Sequence, residues 1–344
     1  MSEKPDLLII DSTVLDVDAP RRRALADRFN LLYYDCTTID EFKQRMKRGG
    51  PYAQIVAIMR NGWHKAGPLA NQRPFAADVV PYFPASLKLI TCSGHGYDAA
   101  DIEGLTTRGI WYCNTPNACT EAVAVTTVSL IIDSFRFLSF AQWCARYDWM
   151  KSRELGSKAV DPTNKSLGIV GLGDIGLAVA KKCEAAFGMK INYHGPRQKV
   201  AAEQSLKHGA IYHSTLEDMI PEIDCIVLAA PYTKETHHLL SHKQFSLAKK
   251  EGLRVVNIAR GAMIDEDALI EALESGRVPG AGLDVHANEP EIDPRLKENW
   301  KVALLPHIGV CSESSWANFE RVNLDNIEAF FSTGKPLTPV NYIS

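Results

Sequence analysis

No C-x-x-C pair occurs in the 344 residues, whose eight cysteines stand apart at positions 36, 92, 113, 119, 144, 183, 225 and 311. That argues against a zinc site or a disulfide framework and fits thiols filling a core in a reducing compartment; no metal is expected. An excess of one charge is also missing: Lys and Arg total 38 against 41 Asp and Glu, a formal net charge of −3. Without a strongly basic surface, nucleic acid is not expected as a partner. Long apolar runs are lacking too. The longest stretch free of Asp, Glu, Lys and Arg is residues 109–120, short of the roughly 20 apolar residues that span a bilayer. The opening MSEKPDLLII enters an apolar run with no signal-peptide organisation, and Asn341-Tyr342-Ile343-Ser344 is no lipidation or retention signal. The expectation is a cytoplasmic protein without a membrane partner. No internal repeat or low-complexity segment interrupts the chain.

What remains is an ordinary globular mix, 46% hydrophobic and 23% charged, long enough for about two domains. Short apolar runs alternate with helical patterns. Leu7-Leu8-Ile9-Ile10 reads as a strand, then a helix from about Ala19, then strands near residues 31–34, 55–58 and 87–91. A second series begins at Leu167-Gly168-Ile169-Val170 and continues at 190–193, 225–228, 254–258, 282–285 and 302–305. Apolar strands spaced by helices indicate parallel sheets covered on both faces. Between the two series, residues 121–146 read as one long, largely apolar helix, expected to bury against another domain or subunit. A last helix near 314–331 has no strand of its own, so it is expected to pack back on the first domain. The fold class is therefore α/β with two doubly wound parallel-sheet domains. Residues 117–309 form a cofactor domain inserted into a discontinuous domain of 1–116 and 310–344.

Gly171-Leu172-Gly173-Asp174-Ile175-Gly176 fits G-x-G-x-x-G directly after a strand, and Ile175, Val179, Cys183 and Ala186 place an apolar stripe on the helix that follows. In that context Gly171 permits the tight turn, Gly173 lets backbone approach a pyrophosphate, and Gly176 lets helix and strand pack closely. The amides and dipole at the helix start would receive the phosphates. A carboxylate at the end of the next strand would bind the ribose 2′-hydroxyl of NAD. Here that strand ends His194-Gly195-Pro196-Arg197-Gln198-Lys199, with donors and positive charge and no acid. A guanidinium suits a 2′-phosphate, so NADP(H) is expected over NAD(H).

Three later segments place polar residues just past apolar strands. Asn257-Ile258-Ala259-Arg260-Gly261 presents Arg260, Gly282-Leu283-Asp284-Val285 leads to Asp284 and then Glu289, and Leu305-Pro306-His307-Ile308-Gly309 presents His307. Ligands of open α/β sheets bind in the crevice at such strand ends. With G-L-G-x-I-G, N-x-A-R-G-x-x-I-D-E-x-A-L, G-L-D-V-x-x-x-E-P and P-H-I-G together, residues 89–310 resemble the D-isomer-specific 2-hydroxyacid dehydrogenase family. The basic loop at Arg197 and the segment from Pro231 through Thr236 to Leu239 look most like its glyoxylate/hydroxypyruvate reductase branch, and fungal-type D-mandelate dehydrogenases are also similar. The resemblance implies a Rossmann domain inserted into a flavodoxin-like substrate domain, acting on a small 2-oxo or 2-hydroxy acid.

It also implies roles. His307 would give a proton to the substrate oxygen as a hydride reaches C2, Glu289 would orient and charge that imidazole, and Arg260 would hold the substrate carboxylate and carbonyl. Gly171, Leu172, Gly173, Asp174, Ile175, His194, Arg197, Gln198, Pro231, Thr236, Ala259, Asp284, His307 and Gly309 would contact the cofactor, Asp284 near the nicotinamide amide. Gly94-His95-Gly96 would offer backbone amides to the substrate carboxylate, although His95 departs from the small apolar residue usual there. Asn114-Thr115-Pro116 resembles the interdomain segment and residues 122–125 a helix reaching the nicotinamide; Trp143 and Trp149 resemble a dimer arm, so a homodimer is expected. Segment 59–75 is expected to set substrate size. Two other readings stay open. One is an aryl or branched 2-oxo-acid reductase. The other is a nucleotide-sensing corepressor of the same fold, against which the chain's stop about a dozen residues beyond its last helix counts.

Overall fold

Apolar runs of the first third become five parallel strands: β1 (Asp6–Asp11), β2 (Asn30–Tyr33), β3 (Ile55–Asn61), β4 (Leu89–Cys92) and β5 (Trp111–Cys113). The structure, a computed structural model, describes residues 4–11, 19–61, 72–156 and 158–343. Two compact units emerge, one of Met1–Cys119 with Cys311–Ser344 and one of Thr120–Val310. In the first, the order is β2-β1-β3-β4-β5. Leu7, Ile9, Ala57, Met59 and Leu89 face one layer, with Leu25, Leu324 and Ile327 over them. Leu8, Ile10, Ile58 and Ile90 face the other, against Phe42, Phe75 and Leu105. Burial on both faces is why these runs are continuous rather than alternating. The helix Glu313–Thr333 lies on this sheet. There Glu320, fully buried, pairs with Arg22 at 2.9 Å, and Asn323 Nδ2 donates to Ser93 Oγ at 3.0 Å.

The second unit holds β6 (Ser166–Val170), β7 (Lys190–His194), β8 (Ile211–His213), β9 (Cys225–Leu228), β10 (Arg254–Asn257), β11 (Ala281–Leu283) and β12 (Val302–Leu304). Their order is β12-β11-β10-β9-β6-β7-β8, and every ladder of both sheets is parallel. The first order is that of a flavodoxin-like sheet and the second that of a Rossmann sheet extended by one strand, so the expected fold class holds. β5 and β8 were not expected. Each is a three-residue edge strand; β5 closes the apolar stretch 110–113, too short to stand out as a strand, and in β8 Ile211 is exposed.

The single helix expected over 121–146 is two helices, Thr120–Arg136 and Leu138–Tyr147, bent by 71°. Phe137 between them has φ 55°, in the left-handed region, while its ring packs edge-on to Trp300 at 5.2 Å. Asp133 accepts from the Ser139 amide and hydroxyl, capping the second helix as the first ends. Nor does the first helix need another domain or subunit to cover it. Its buried Leu130, Ile131 and Phe135 pack on its own unit's sheet. Glycines under it allow the approach: a Cβ on Gly282 would lie 2.8 Å from Leu130 Cβ, and one on Gly280 2.3 Å from the Ser134 carbonyl oxygen. The second helix leaves Trp143 and Tyr147 exposed. Among the described residues, no single helix is long and apolar enough to cross a membrane.

Seven cysteines are buried and Cys311 is exposed, which corrects the expectation of eight core thiols. Burial pushes the thiols of Cys113 and Cys183 up to about 12, so both are protonated at neutral pH.

Because the Ser134 carbonyl is backbone and cannot swing aside, Gly280→Ala should cost about 1–3 kcal/mol of stability. A urea midpoint measured against the unmodified protein checks this; an unchanged midpoint contradicts the close packing.

Candidate active site

Pairing registers align Leu304, Leu283, Asn257, Leu228, Val170, His194 and His213 in one row across all seven strands of the second sheet. The chain leaves each strand at this carboxyl edge. His307 follows the row by three residues, Asp284 by one, Arg260 by three, Pro231 by three and Gly171 by one, while His194 lies in it. One rim of one sheet thus collects residues that are up to 136 positions apart in sequence (Gly171 and His307). The strand order reverses between β9 and β6, and at such a switch point loops diverge and leave a crevice.

The glycine loop lies at that reversal. Gly171 has φ 94°, and a Cβ there would come within 2.9 Å of the Ala229 and Ala230 backbone after β9. A Cβ on Gly176 would lie 2.1 Å from the Gly171 carbonyl oxygen, so this glycine seats the helix Asp174–Phe187 against its strand. Around the Cβ position of Gly173 nothing lies within 4 Å. That open space, in front of the amides at the start of a 14-residue helix, fits the pyrophosphate of a dinucleotide. Leu172 is buried, Ile175 half-buried and Asp174 exposed.

After β7 the donors are partly committed. His194 Nδ1 donates to the His213 carbonyl at 3.0 Å, which leaves Nε2 as the nitrogen that can meet a ligand. Gln198 Nε2 lies 3.0 and 3.2 Å from the two oxygens of Glu203. That carboxylate, which also accepts from the Tyr193 hydroxyl, belongs to the next helix, so a search of the strand end alone misses it. Arg197 is exposed. After β9, Thr236 Oγ1 donates to the Pro231 carbonyl at 3.0 Å and accepts from the Thr233 amide at 2.7 Å, closing the 231–236 loop on itself.

At the other end of the rim, Asn257 is buried and staples the turn after β10: its Oδ1 accepts from the Ala259 amide and its Nδ2 donates to the Arg260 carbonyl. Arg260 is half-buried, with Nη1 donating to the Ala259 carbonyl at 2.7 Å. His307 and Glu289 are in contact. The imidazole Nδ1 is 2.8 Å from Glu289 Oε2 and 3.1 Å from Oε1. A carboxylate accepts only, so Nδ1 carries the proton and Nε2 is the nitrogen left to exchange one.

His307 has φ 56°, a region costly for a residue with a Cβ. Asp284, only 2% exposed, compensates: Oδ1 accepts from the Ile308 amide at 2.7 Å and Oδ2 from the Gly309 amide at 2.9 Å. Sequence reading gives Asp284 a cofactor role alone; its hold on the histidine turn shows only in the fold. A Cβ on Gly309 would come within 2.8 Å of Asp284 Oδ2, so glycine is needed there. Thr126 Oγ1, from the helix Thr120–Arg136, donates to the Gly309 carbonyl at 3.5 Å.

In the first unit, the Gly94-His95-Gly96 loop follows β4. The Gly94 amide is already taken by Thr115 Oγ1 at 2.8 Å, and the His95 carbonyl accepts from Asn114 Nδ2 at 2.8 Å. Thr115 and Asn114 thus tie the loop down, and the amides of His95 and Gly96 rather than Gly94 remain for an anion. Of segment 59–75, residues 62–71 lie outside the described residues.

Asp284→Asn keeps shape but turns one of the two acceptors into a donor facing an amide. It should lower stability by about 2 kcal/mol and reduce turnover as the histidine turn loosens. Denaturation and kcat, measured together, check this; unchanged values would deny Asp284 its hold on the turn.

Residues 128–309 match the family model described as D-isomer specific 2-hydroxyacid dehydrogenase, NAD binding domain. The chain is 35% identical over 317 residues to a 4-methyl-2-oxopentanoate reductase A of Aspergillus oryzae, covering 92% of each sequence. It superposes on the holo D-mandelate dehydrogenase of Rhodotorula graminis with a TM-score of 0.91 and 32% identity over 99% of each chain. With an NADPH-dependent glyoxylate/hydroxypyruvate reductase from Sinorhizobium meliloti, solved with NADP and malonate, the TM-score is 0.78 at 29% identity, covering 98% and 97%. Rim, motifs and relatives agree: this chain belongs to the D-isomer specific 2-hydroxyacid dehydrogenase family.

Proposed function

We propose that the enzyme reduces a small 2-oxo acid, of the glyoxylate or hydroxypyruvate kind, to its D-2-hydroxy acid with NADPH as reductant. The observation that carries this reading is the Glu289–His307 pair, held by Asp284 on the same strand rim as Arg260 and the phosphate loop. A bound nicotinamide supplies the hydride that C2 of the substrate receives. His307 Nε2 gives the proton that the carbonyl oxygen takes up, while Nδ1–H stays bonded to Glu289, whose negative charge stabilises the imidazolium before transfer. The planar fork of Arg260 binds the substrate's carboxylate and polarises the carbonyl. Gly171, Gly173 and the first turn of the following helix hold the pyrophosphate, and the unit of Thr120–Val310 acts as the cofactor domain. In the unit of Met1–Cys119 with Cys311–Ser344, the amides of His95 and Gly96 serve a substrate carboxylate.

NADPH is favoured by the exposed Arg197 beside His194 and Lys199, against which Glu203 sets a negative charge already engaged by Gln198. A second substrate reading rests on the similarity to the mandelate and 4-methyl-2-oxopentanoate enzymes: a larger aryl or branched 2-oxo acid in the same site.

Steady-state kinetics with glyoxylate, hydroxypyruvate, 4-methyl-2-oxopentanoate and phenylglyoxylate, each with both cofactors, test both points. The small acids and NADPH should give the highest kcat/KM. Higher values with the bulky acids move the assignment to the second reading, and equal or better turnover with NADH overturns the cofactor choice.

Reduction consumes protonated His307, so 2-oxo-acid reduction should fall as pH rises while hydroxy-acid oxidation increases. His307→Gln should lower kcat by roughly 10² or more, with NADPH binding, followed by fluorescence, nearly intact. A variant with ordinary turnover removes this mechanism.

A further inference from the structure

One buried imidazole has no part in that mechanism. His286, 6% exposed, stands between Asp284 and Glu289. Its Nε2 lies 2.8 Å from the Leu305 carbonyl oxygen, two residues before His307. A carbonyl accepts only, so Nε2 carries the proton, and the buried Nδ1 has no hydrogen-bond partner. The His286 backbone amide donates to Glu289 Oε1 at 3.1 Å, the same oxygen that lies 3.1 Å from His307 Nδ1. On its other side the chain is packed against the arginine turn. A Cβ on Gly261 would sit 2.0 Å from the His286 carbonyl carbon and 2.4 Å from the Ala287 nitrogen. Glu266, at the start of the helix Glu266–Glu274, accepts from the Ala287 amide. Glu289 and Glu266 face this segment, with Asp293 and Arg295 beside Glu266 and the Asp284 carboxylate two residues upstream.

We propose that His286 is a positioning residue of the reaction: its bond to Leu305 locks the loop bearing Glu289 to the strand end bearing His307, with the Arg260 turn resting on the same peptide. The inference rests on the His307–Glu289 reading given above. Its physical ground is the unequal treatment of the two ring nitrogens. Burying a polar atom without a partner is unfavourable, and an apolar ring of similar volume would avoid it. What such a ring could not supply is the donor to Leu305, which joins the ends of β11 and β12 beyond the last rung of their ladder, Leu283 to Leu304. Without it the strand ends stay joined by Asp284 and by the Leu305 amide on the Leu283 carbonyl, but the segment leading to Glu289 loses its own tie to the chain before His307, and sub-ångström misplacement of a proton donor is enough to slow transfer.

Two substitutions separate this role from simple packing. His286→Phe keeps ring volume and loses the donor; His286→Gln places an amide N–H close to the position of Nε2. With the best 2-oxo acid of the panel and saturating cofactor, His286→Phe should lose about tenfold in kcat while the KM for cofactor stays within about twofold. His286→Gln should recover most of the turnover. Ordinary kcat in His286→Phe, or equal losses in the Phe and Gln variants, overturns the proposal. If His286→Phe fails to fold, His286→Asn, whose amide reaches the Nδ1 rather than the Nε2 position, takes its place in the same comparison. His307→Gln is run alongside. An inactive His307→Gln with an unaffected His286→Phe rejects only the positioning role, whereas an active His307→Gln rejects the underlying mechanism.

Discussion

A carboxylate with almost no exposure, Asp284, accepts hydrogen bonds from the two amides that follow His307, and the geometry of the site depends on that arrangement. The histidine occupies a backbone conformation that side chains with a Cβ avoid. Two charge-assisted bonds, each worth more than a neutral one, hold it there. Because Asp284 itself sits one residue past β11 and His307 three past β12, the bonds also fasten neighbouring strand ends together. The imidazole is therefore oriented from two sides, by backbone through Asp284 and by its ring through Glu289.

This hold matters because the rim is otherwise made of loops. Parallel ladders end at a common row, and beyond it each chain segment must find its own partners. Asn257 does this for the arginine turn, Thr236 for the loop after β9, and Thr115 for the glycine loop of the first unit. In each case a short polar side chain satisfies backbone groups that the sheet no longer pairs. The residues with chemistry to perform are thus supported by residues that perform none.

That division explains what could be read from the sequence. The strands near 7–10, 225–228 and 254–258 were legible because burial on both faces leaves an unbroken apolar run, and the glycine loop because its spacing serves a steric need that the structure exhibits at Gly171 and Gly176. β8, an exposed edge strand, leaves no such signature, and β5 is a three-residue edge strand whose apolar stretch is too short to stand out. The break at Phe137 was illegible for a different reason: an aromatic residue gives no hint of a left-handed conformation, which here follows from Trp300 and from Asp133 capping the next helix. In the site, Arg260, Glu289 and His307 stood out as polar residues at strand ends. Asn257, His286, Glu203 and the capping role of Asp284 did not, because their meaning lies in partners distant along the chain, and hydrogen-bond partnerships across strands have no sequence period.

The layer over the first sheet has a consequence for how the protein is made. Leu7, Ile9, Ala57, Met59 and Leu89 emerge early from a ribosome, yet Leu324 and Ile327, which cover them, come from a helix synthesised after the entire inserted unit. During that interval of some 190 residues (Thr120–Val310), the nascent sheet has only Leu25 of its early helix and Phe29 just after it over that apolar face, which stays partly open. Such surfaces are where collapsed intermediates stick to one another. Slow translation through the insert would prolong the hazard, and molecular chaperones that shield apolar patches would have their greatest effect in that window.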